Sequence, residues 1–500
     1  MKTGVVFLLG LTLLGQTSPP TYFTPSHQVS GIGVSRDDLS ADLVEARTKL
    51  MIESQTFTIL REPMAVSGAK RITTDRTLQS LFQLASQRSG VPASLIEAIA
   101  YLESWGDARA QSPAGPRGIM QISQATARRI GLRVSHTTRY RIVREKVQVR
   151  DKRNRPMTRV VRRRVPYSVP GRDERLRPER AIPVAAQYLA SLEQKFGGSD
   201  WGVFAYHCGE GCVTEMQELT RQARGVPKDQ TTVARMFFSA SPAWNRELYQ
   251  AIQIQMQRDY SPTYWFRVKR AEQLLESYRS DPHAFEALAE QYKMQFAGAN
   301  GIERRAPHRL SVWLKLGDLA FHTNDDIRAG MGSALVRALD RPDYFGYQLQ
   351  LDPSQPEDLE YFSQASPAAI GALTYIAFET RRLWQEMKPG TEQFRPIPVT
   401  ALVEPEQYAV RTGRSEALSH GTGQVFDLDY AGLPPAEYEC LRFVLDDLGW
   451  DGYLGFVDEG RDTLHIGGSP DFRDFFTTIF QEALGGLSDQ VKGDESTNVR

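Results

Sequence analysis

Apolar and polar residues alternate with a helical period over two long stretches of the chain. Apolar residues recur every three or four positions from about Thr77 to Ser241, and the same period returns from Thr263 to about Lys388. This spacing is typical of helices that pack one face against a core. The pattern predicts two helical regions. No group of convergent polar residues stands out in the second, which we interpret as a connecting module.

The first helical region is interrupted at about 134–170. Its sequence, RYRIVREKVQVRDKRNRPMTRVVRRRVPYSV, alternates apolar and basic residues around a polar KRNRP tip. Alternation with period two is typical of strands. The interruption therefore predicts a basic β-hairpin inserted into a helical domain.

The last hundred or so residues change to a mixed pattern. GQVFDLDY and TLHIG read as strands, and PPAEYECLRFVLDDLGW reads as a helix opened by Pro. The predicted fold is multidomain, with a mainly α domain carrying the hairpin, a helical middle module and a small α+β domain. The predicted bounds are extension or linker 19–76, first domain 77–245, module 246–394, C-terminal domain 395–486 and tail 487–500.

The first 18 residues have the pattern of an export signal. Lys2 precedes the apolar run GVVFLLGLTLLG, which is too short to span a bilayer, and the small-residue exit QTSPP follows. A buried N-terminal helix is the alternative. No later stretch approaches the ~20 apolar residues of a membrane span. We expect an exported protein of the periplasm or cell envelope, without a transmembrane segment once the signal is removed.

Composition adds little about partners but permits a disulfide. The 500 residues include 60 Lys and Arg and 60 Asp and Glu, so net charge indicates no partner, and the apolar fraction of 41% favours packed cores. Cys208 and Cys212 would lie one helical turn apart, within the Cα range of a disulfide. In an exported chain a local bridge and two free thiols are about equally expected, while Cys440 reads as a buried thiol.

One acidic residue lies on the apolar stripe of the helix predicted to end near Ser104. Ile96 and Ala100 fall on one face, and Glu103 follows them by seven and three positions. A carboxylate held against apolar surface has its charged form disfavoured, so it can donate a proton to a leaving oxygen. Glu97 points elsewhere and is expected to be solvated. On periodicity alone, a water-capped Glu103 at a fraying helix end remains the alternative.

Three short segments occur in order around this acid. They are Glu103-Ser104, GIMQI from Gly118 to Ile122, and AYHCGEG at 205–211. They resemble the soluble lytic transglycosylases, relatives of goose-type lysozyme, which show a catalytic Glu followed by Ser, a Gly-x-Met-Gln segment and an Ala-Tyr-Asn-x-Gly segment. The resemblance covers about a third of the chain and implies a lysozyme-like fold.

The resemblance also implies residue roles. Glu103 would be the single acid and base, and Tyr206 would hydrogen-bond near it and position it. Gly118 would let its loop approach the substrate. The implied groove-lining residues are Ser104, Met120, Gln121 and His207. His207 departs from the family, which usually has Asn there.

The resemblance implies a reaction without water or cofactor, and no second motif carboxylate accompanies Glu103. Glu103 would protonate the oxygen that links MurNAc to GlcNAc, and then accept the proton of the sugar's own 6-hydroxyl as that oxygen attacks C1. The product would be a 1,6-anhydro-muramyl end. The alternative is hydrolysis by a lysozyme-like muramidase, with an acid such as Asp107 placing a water.

A second constellation lies near the C-terminus. SHGTGQVFDLDY places His420 seven residues before Asp427, and TLHIG supplies His465. Two His and one carboxylate form a sound Zn²⁺ ligand set that leaves a position for water, although a structural His pair is the alternative. The segment resembles the D-Ala-D-Ala carboxypeptidase and dipeptidase family of zinc peptidases, whose His-x-x-Gly-x-Ala-x-Asp pattern matches here except for Val425.

The peptidase resemblance has one chemical departure. The family's base is a Glu three residues before the last His, and that position is Asp462 here. Glu459, six residues before His465, is a candidate substitute. Metal binding is therefore better founded than peptidase activity, and a degenerate wall-binding module is the alternative.

Together the two resemblances predict a bacterial peptidoglycan-remodelling enzyme. Its partners would be glycan strands and stem peptides. The basic hairpin is expected to be attracted to the anionic wall rather than to nucleic acid, which an export signal disfavours. The rival hypothesis is a non-catalytic wall-binding or scaffold protein.

Overall fold

The structure is a computed structural model that describes ten stretches of the chain. They are residues 22–27, 39–150, 156–256, 261–297, 318, 320–351, 359–388, 393–412, 418–460 and 462–497. Two compact units are present: a helical unit (Ser30–Leu319 and Phe443–Val457) and a mixed unit (Met1–Val29, Ala320–Arg442 and Asp458–Arg500). The predicted signal peptide at 1–18 lies outside the described residues.

The helical unit consists of helices and one pair of long strands. The helices are α1 (Ala41–Leu60), α2 (Ala65–Thr74), α3 (Arg76–Ser89), α4 (Ala93–Ser104), α5 (Gln124–Arg129), α6 (Pro178–Phe196), α7 (Ser199–Cys208), α8 (Glu210–Gln222), α9 (Val233–Ser239), α10 (Arg246–Met256), α11 (Tyr264–Ser280) and α12 (Pro282–Ala297). Short 3₁₀ helices cover Glu174–Leu176 and Ser261–Thr263. The strands are β1 (Val134–Arg150) and β2 (Pro156–Asp173).

The stretch 19–76 is not the predicted linker, because α1 and α2 fill its second half. Ser40 caps α1 by accepting the Leu43 N–H. The end of α1 is buried at consecutive positions from Gln55 to Leu60. A helix that is buried all round shows no apolar stripe, which is why periodicity missed it.

Helix α4 is also buried on more than one face. Every residue from Leu95 to Tyr101 is buried, including Glu97. The Glu97 carboxylate accepts hydrogen bonds from Arg279 and from Gln79. The expectation that Glu97 is solvated is wrong, because partners from α3 and α11 satisfy a carboxylate inside the packed helices.

The core of the helical unit extends past the predicted boundary at 245. Tyr264, Val268 and Leu275 on α11 and Phe285 on α12 are buried in the same cluster as Ile99 on α4. The unit therefore does not end where the 77–245 domain was predicted to end. Helices assigned to a separate module (246–394) complete this core, because α4 needs apolar neighbours on several sides.

The predicted hairpin is present as two long antiparallel strands. β1 and β2 pair from Val134↔Asp173 to Arg150↔Pro156, with one irregularity near Val134. The hairpin thus extends slightly beyond the predicted 134–170.

The mixed unit contains a five-stranded sheet and its own helices. Its strands are β3 (Val336–Arg337), β4 (Tyr347–Leu349), β5 (Gln364–Ala365), β6 (Ile397–Ala401), β7 (Val425–Asp429), β8 (Leu454–Gly460) and β9 (Thr463–Gly468). Its helices are α13 (Asn324–Gly330), α14 (Pro342–Phe345), α15 (Leu359–Phe362), α16 (Pro367–Met387), α17 (Glu406–Arg411), α18 (Pro435–Trp450) and α19 (Arg473–Thr497). Short 3₁₀ helices cover Leu418–Thr422 and Pro470–Phe472. Both α18 and β8 cross the division between the units.

The sheet has the strand order β4-β6-β7-β9-β8. β4 is parallel to β6, while the β6–β7 and β7–β9 pairs are antiparallel. Strands β3, β4 and β5 lie within the predicted all-helical module at 246–394. The predicted tail at 487–500 is also different, since α19 continues to Thr497.

Membrane-spanning helices were searched for throughout the described stretches. None of the helices there is long and apolar enough to cross a bilayer.

A buried charge cluster joins α1 to the chain segment around the end of α18 within the helical unit. The Arg47 guanidinium donates to Asp447 Oδ1 at 2.9 Å and to Asp451 Oδ2 at 3.0 Å. All three side chains are buried. One guanidinium neutralises one carboxylate, so the second carries an unfavourable charge at neutral pH. Burial, reinforced by Asp447 and opposed by Arg47, raises the pKa of Asp451 to about 7.

This raised pKa predicts that stability falls as pH rises. A carboxyl whose folded pKa lies above its unfolded value of about 4 contributes stability that is complete below pH 4 and is lost as pH passes 7. We expect the wild-type protein to lose roughly 2–4 kcal/mol from this group between pH 4 and pH 8. Asp451→Asn should remove that dependence, measured as the pH profile of the unfolding free energy. Asp229→Asn at an exposed position is the control, and identical profiles for wild type and Asp451→Asn would contradict the assignment.

Candidate functional site

The Glu103 carboxylate lies in the last turn of α4 and is held by a residue outside the sequence motifs. The Tyr264 hydroxyl, from the first residue of α11, donates to Glu103 Oε1 at 2.7 Å. Burial, with Glu103 nearby, raises the pKa of Tyr264. The hydroxyl therefore stays protonated and remains a donor to the acid.

His207 completes this cluster. Its ring stacks on the Tyr264 ring with centroids 4.1 Å apart and planes 11° apart. His207 Nδ1 lies 3.7 Å from Glu103 Oε1, beyond direct hydrogen-bond distance. The residue that replaces the family Asn thus supports the tyrosine that holds the acid.

Tyr206 was predicted to position the acid, but its hydroxyl bonds the loop beside the acid. Its hydroxyl donates to the Met120 carbonyl at 2.8 Å. Burial, with Glu103 nearby, raises the pKa of Tyr206. Tyr206 therefore fixes the loop beside the acid, while Tyr264 bonds the acid itself.

Two residues predicted to line the sugar groove are buried instead. Ser104 is 6% exposed, and its Oγ donates to the Ala100 and Ile119 carbonyls. Met120 is 2% exposed and packs in the core of the unit. Their places in the motif are explained by packing: Ser104 ties the end of α4 to the loop, and Met120 anchors the loop from below.

Gly118 permits a close approach within the protein rather than to a substrate. Its φ is +78°, and a Cβ there would fall 1.8 Å from the Arg175 carbonyl oxygen. Any side chain would clash with this backbone. The Arg175 guanidinium donates to the Gly115 and Ile122 carbonyls at 3.2 and 3.1 Å, so the loop is clamped against the end of the hairpin.

A cleft of about 430 Å³ lies beside this loop. The predicted residues Gln121, Tyr206 and His207 are part of its lining. His207 belongs both to this lining and to the neighbourhood of Glu103, so the cleft leads towards the acid. Tyr188, on the same wall, packs 6.1 Å from the Tyr206 ring and offers an aromatic face of the kind that sugars contact.

Glu210 contributes a carboxylate to the cleft lining, but two cations bind it. Oε1 lies 2.5 Å from the Arg129 guanidinium, and Oε2 lies 2.5 Å from Lys195 Nζ. The hydrogen bond from Lys195 lowers the pKa of Glu210, and although burial opposes this shift, the charge of Arg129 adds to it. This carboxylate stays ionised with both oxygens engaged.

The two cysteines lie on different helices. α7 ends at Cys208 and α8 begins at Glu210, because Gly209 between them has φ +88°. The single-turn geometry behind the possible disulfide is therefore not present, and no disulfide joins Cys208 to Cys212 in the structure. A hydrogen bond with Cys208 lowers the pKa of the Cys212 thiol.

The predicted ligand trio comes together in the mixed unit. Asp427 on β7 is the cross-strand partner of His465 on β9, so their side chains share one face. The 3₁₀ turn Leu418–Thr422 brings His420 alongside. His420, Asp427 and His465 are all buried, and one donor atom from each lies within 4.8 Å of the others.

Both imidazole rings are oriented by a second contact. His420 Nδ1 lies 2.6 Å from the Leu402 carbonyl, and His465 Nε2 lies 2.9 Å from Ser419 Oγ. The inner nitrogens face Asp427 Oδ1, at 3.1 Å from His420 Nε2 and 2.7 Å from His465 Nδ1. Although burial opposes the charge, His420 and His465 lower the pKa of Asp427, so this carboxylate is ionised. Metal-binding histidines are commonly oriented in this way, and the donor set fits Zn²⁺.

Asp462, one of the two candidate bases, lies in a different environment from the trio. Asp462 lies in the turn before β9, exposed, with φ +67°. Its carbonyl accepts the Tyr430 N–H. Glu459 is in strand β8. Asp462, three residues before His465, is therefore exposed to solvent, whereas His420, Asp427 and His465 are buried.

Comparison with known proteins finds one family model that matches the part of the chain around the first site. Residues 80–145 and 154–225 match the model of the Transglycosylase SLT domain. The matched ranges contain Glu103 and all three motifs, and the gap between them falls within the hairpin. The predicted transglycosylase domain is confirmed by this match. The zinc-peptidase likeness of the C-terminal segment stays a prediction.

A curated relative is similar over part of this chain. The chain is 33% identical over 132 residues to the peptidoglycan transglycosylase gp16 of Escherichia phage T7. The aligned part is 26% of this chain and 8% of the phage protein, so the chain spans a small share of that relative's length. The domain match and this similarity support the predicted enzyme class, a lytic transglycosylase.

Tyr264 is the site residue that sequence reasoning missed. It lies about 160 positions after Glu103, in a stretch that we interpreted as a connecting module. A tyrosine at the start of a helix that packs against a core looks like an ordinary core residue. Only the packing of α11 against α4 brings it to the acid.

Tyr264→Phe tests whether this hydrogen bond contributes to the reaction. Loss of a donor to the catalytic acid should lower the turnover rate for glycan about 10- to 100-fold, because the carboxyl is no longer held in one orientation. The thermal midpoint should change little. Tyr278→Phe, a buried tyrosine on the same helix, is the control. Wild-type turnover in Tyr264→Phe would show that the bond is structural.

Proposed function

We propose that this protein is a peptidoglycan lytic transglycosylase that cleaves the bond between MurNAc and GlcNAc and leaves 1,6-anhydro-muramyl ends. The observation that supports it is the Glu103 carboxyl, held by the Tyr264 hydroxyl at 2.7 Å beside a cleft of about 430 Å³. The domain match and the similarity to a phage peptidoglycan transglycosylase support peptidoglycan as the substrate class.

In the proposed reaction one carboxyl serves twice. Protonated Glu103 gives its proton to the glycosidic oxygen as the C1–O bond breaks. The 6-hydroxyl of the same muramyl residue attacks C1, and its proton passes to the Glu103 carboxylate. The acid is regenerated and no water is consumed. The Tyr264 hydroxyl donates to Oε1 throughout and stabilises the carboxylate between the two proton transfers.

The state of Glu210 favours this single-acid mechanism over hydrolysis. A hydrolytic enzyme needs a second carboxylate to activate water or form a covalent intermediate. Glu210 lines the cleft, but Arg129 and Lys195 bind its two oxygens. Asp107 is exposed, and its Oδ1 accepts the Arg109 N–H. Neither carboxylate is poised as a free base.

Glu103→Gln is the direct test. The amide cannot donate a proton to the leaving oxygen, so release of anhydro-muropeptides from purified sacculi should fall at least about 1,000-fold. Glu286→Gln, at an exposed position, should behave as wild type. Mass spectrometry of the products identifies the chemistry. Undiminished release by Glu103→Gln would refute the assignment, and reducing ends from the wild-type enzyme would show hydrolysis.

We further propose that the mixed unit binds a single Zn²⁺ through His420, Asp427 and His465. The support is their buried convergence, with both rings oriented by outer contacts. A bound Zn²⁺ would leave one position for a water and lower the pKa of that water. Cleavage of stem peptides is the activity that the resemblance suggests, with Asp462 or Glu459 as the base.

The metal proposal is tested on the full chain. Elemental analysis after dialysis should find about one zinc per chain. Each of three variants should lower the zinc content: His420→Ala, Asp427→Ala and His465→Ala. Each should also reduce the increase in unfolding temperature that added zinc produces in the wild-type protein. His283→Ala, an exposed histidine, is the control. Wild-type protein that takes up no zinc would contradict the proposal. Incubation of the zinc-loaded protein with a stem peptide then tests the peptidase.

A cell-envelope location follows from the proposed substrate. Peptidoglycan lies outside the cytoplasmic membrane, so an enzyme that cuts it must reach that compartment. Export by the predicted signal at 1–18 is the simplest route. The proposed location rests on the substrate and does not depend on that signal.

A further inference from the structure

The hairpin concentrates positive charge in a chain whose total charge is zero. Residues 139–164 hold twelve of the 60 Lys and Arg and two of the 60 Asp and Glu. Paired strands of 17 residues measure roughly 55 Å, so this charge is carried on a long ribbon. Such a segregated charge attracts anionic partners.

The strand register places basic residues on both faces of the ribbon. Cross-strand partners share a face, and successive residues alternate. Ile142 pairs with Arg164 and Arg144 with Arg162 on one face, and Val143 pairs with Arg163 on the other. The described arginines of this region are exposed on both faces.

One face also displays apolar and aromatic surface. Ile142 is 70% exposed and Tyr140 is 53% exposed. The Arg164 guanidinium lies 4.1 Å from the Tyr140 ring centre. Arg144 and Arg162 are directly opposite each other, and like charges in such pairs destabilise a ribbon unless an anion neutralises them. This arrangement suits a ligand with negative groups.

The base of the ribbon is fixed to the loop of residues 118–122. The Asp173 carboxylate at the end of β2 accepts hydrogen bonds from Arg175, whose guanidinium also holds the Ile122 carbonyl. The Arg133 N–H, just before β1, donates to the Glu174 carboxylate at 2.9 Å. A polymer held by the ribbon is thereby held at a defined position relative to the loop of Met120 and Gln121.

We propose that the hairpin is a docking arm for the stem-peptide carboxylates of peptidoglycan, which holds the mesh while its glycan strand enters the cleft. Arginine on both faces fits a three-dimensional anionic network, whereas a flat bilayer would meet one face. The inference rests on the proposed function, since that function supplies the polymer. It adds a binding surface that the cleft does not contain.

The test separates binding from cleavage. In a Glu103→Gln background, which leaves sacculi intact, the triple variant Arg144→Gln, Arg162→Gln, Arg164→Gln is compared with Arg76→Gln, Arg88→Gln, Arg180→Gln. The control arginines are equally exposed and lie on helices of the same unit. Cosedimentation with purified sacculi is measured at about 50 and about 500 mM salt, where screening lengths differ about threefold.

We expect the hairpin triple to weaken binding at low salt about 10- to 100-fold and to flatten its salt dependence, with the control unchanged. Sacculi whose carboxylates have been amidated should bind the hairpin triple and the control triple equally weakly. Removal of phosphate polymers from the sacculi should leave the binding of either protein unchanged. Unchanged binding by the hairpin triple would overturn the proposal. So would dependence on the phosphate polymers, or tighter binding to phosphatidylglycerol vesicles or DNA than to sacculi.

A second readout keeps this proposal distinct from the enzymatic one. With Glu103 intact, the hairpin triple should cleave peptide-free glycan strands at the wild-type rate, because those strands lack the carboxylates of stem peptides. Absence of anhydro products with both the wild-type protein and the hairpin triple would count against the transglycosylase. Normal cleavage of peptide-free strands with unaltered sacculus binding would count against the arm alone.

Discussion

The structure of the first site depends on the immobilisation of one short loop, residues 118–122. Three of its carbonyls are held by side chains from three parts of the fold: Ile119 by Ser104, Met120 by Tyr206 and Ile122 by Arg175. A loop without regular structure leaves its carbonyls unpaired, and burial of such groups is costly. Two motif residues, Ser104 and Tyr206, and the non-motif residue Arg175 satisfy them. The conspicuous Ser, Met and Tyr of the sequence therefore build the wall beside the acid, and the acid receives its own partner from α11.

This division of labour explains what sequence could and could not predict. The motif order indicated the acid and the family, because Glu103 and the loop are close in sequence and their spacing is rigid. The roles of Ser104 and Met120 were misassigned, because a motif shows which residues matter without showing which way they point. Tyr264 gave no signal at all. It reaches Glu103 only because α11 packs on α4, a contact between residues about 160 positions apart.

Burial on several faces accounts for the errors in the fold. Helix α4 contacts α2, α3 and α11, so even its Glu97 needed an internal partner, and α1 lost its stripe for the same reason. Amphipathic reasoning works for a helix with one wet face. The hairpin was predicted well because its two strands are neighbours in sequence and their apolar and basic residues follow the two-residue period of a strand. The second half of the chain was harder, since short strands such as β3 and β5 lie among helices.

The C-terminal trio shows how far spacing carries an argument about chemistry. The seven-residue separation of His420 and Asp427 spans a 3₁₀ turn and the start of β7, and the register of β7 with β9 then sets His465 opposite Asp427. The convergence of these three side chains was thus encoded in local structure that the sequence made visible. The residue three positions before His465 is different, since at φ +67° Asp462 has left the strand, and alternation no longer fixes the direction of its side chain. The convergence of the trio and the placement of Asp462 therefore depend on different elements, the first on the 3₁₀ turn and the β7–β9 register and the second on the turn before β9.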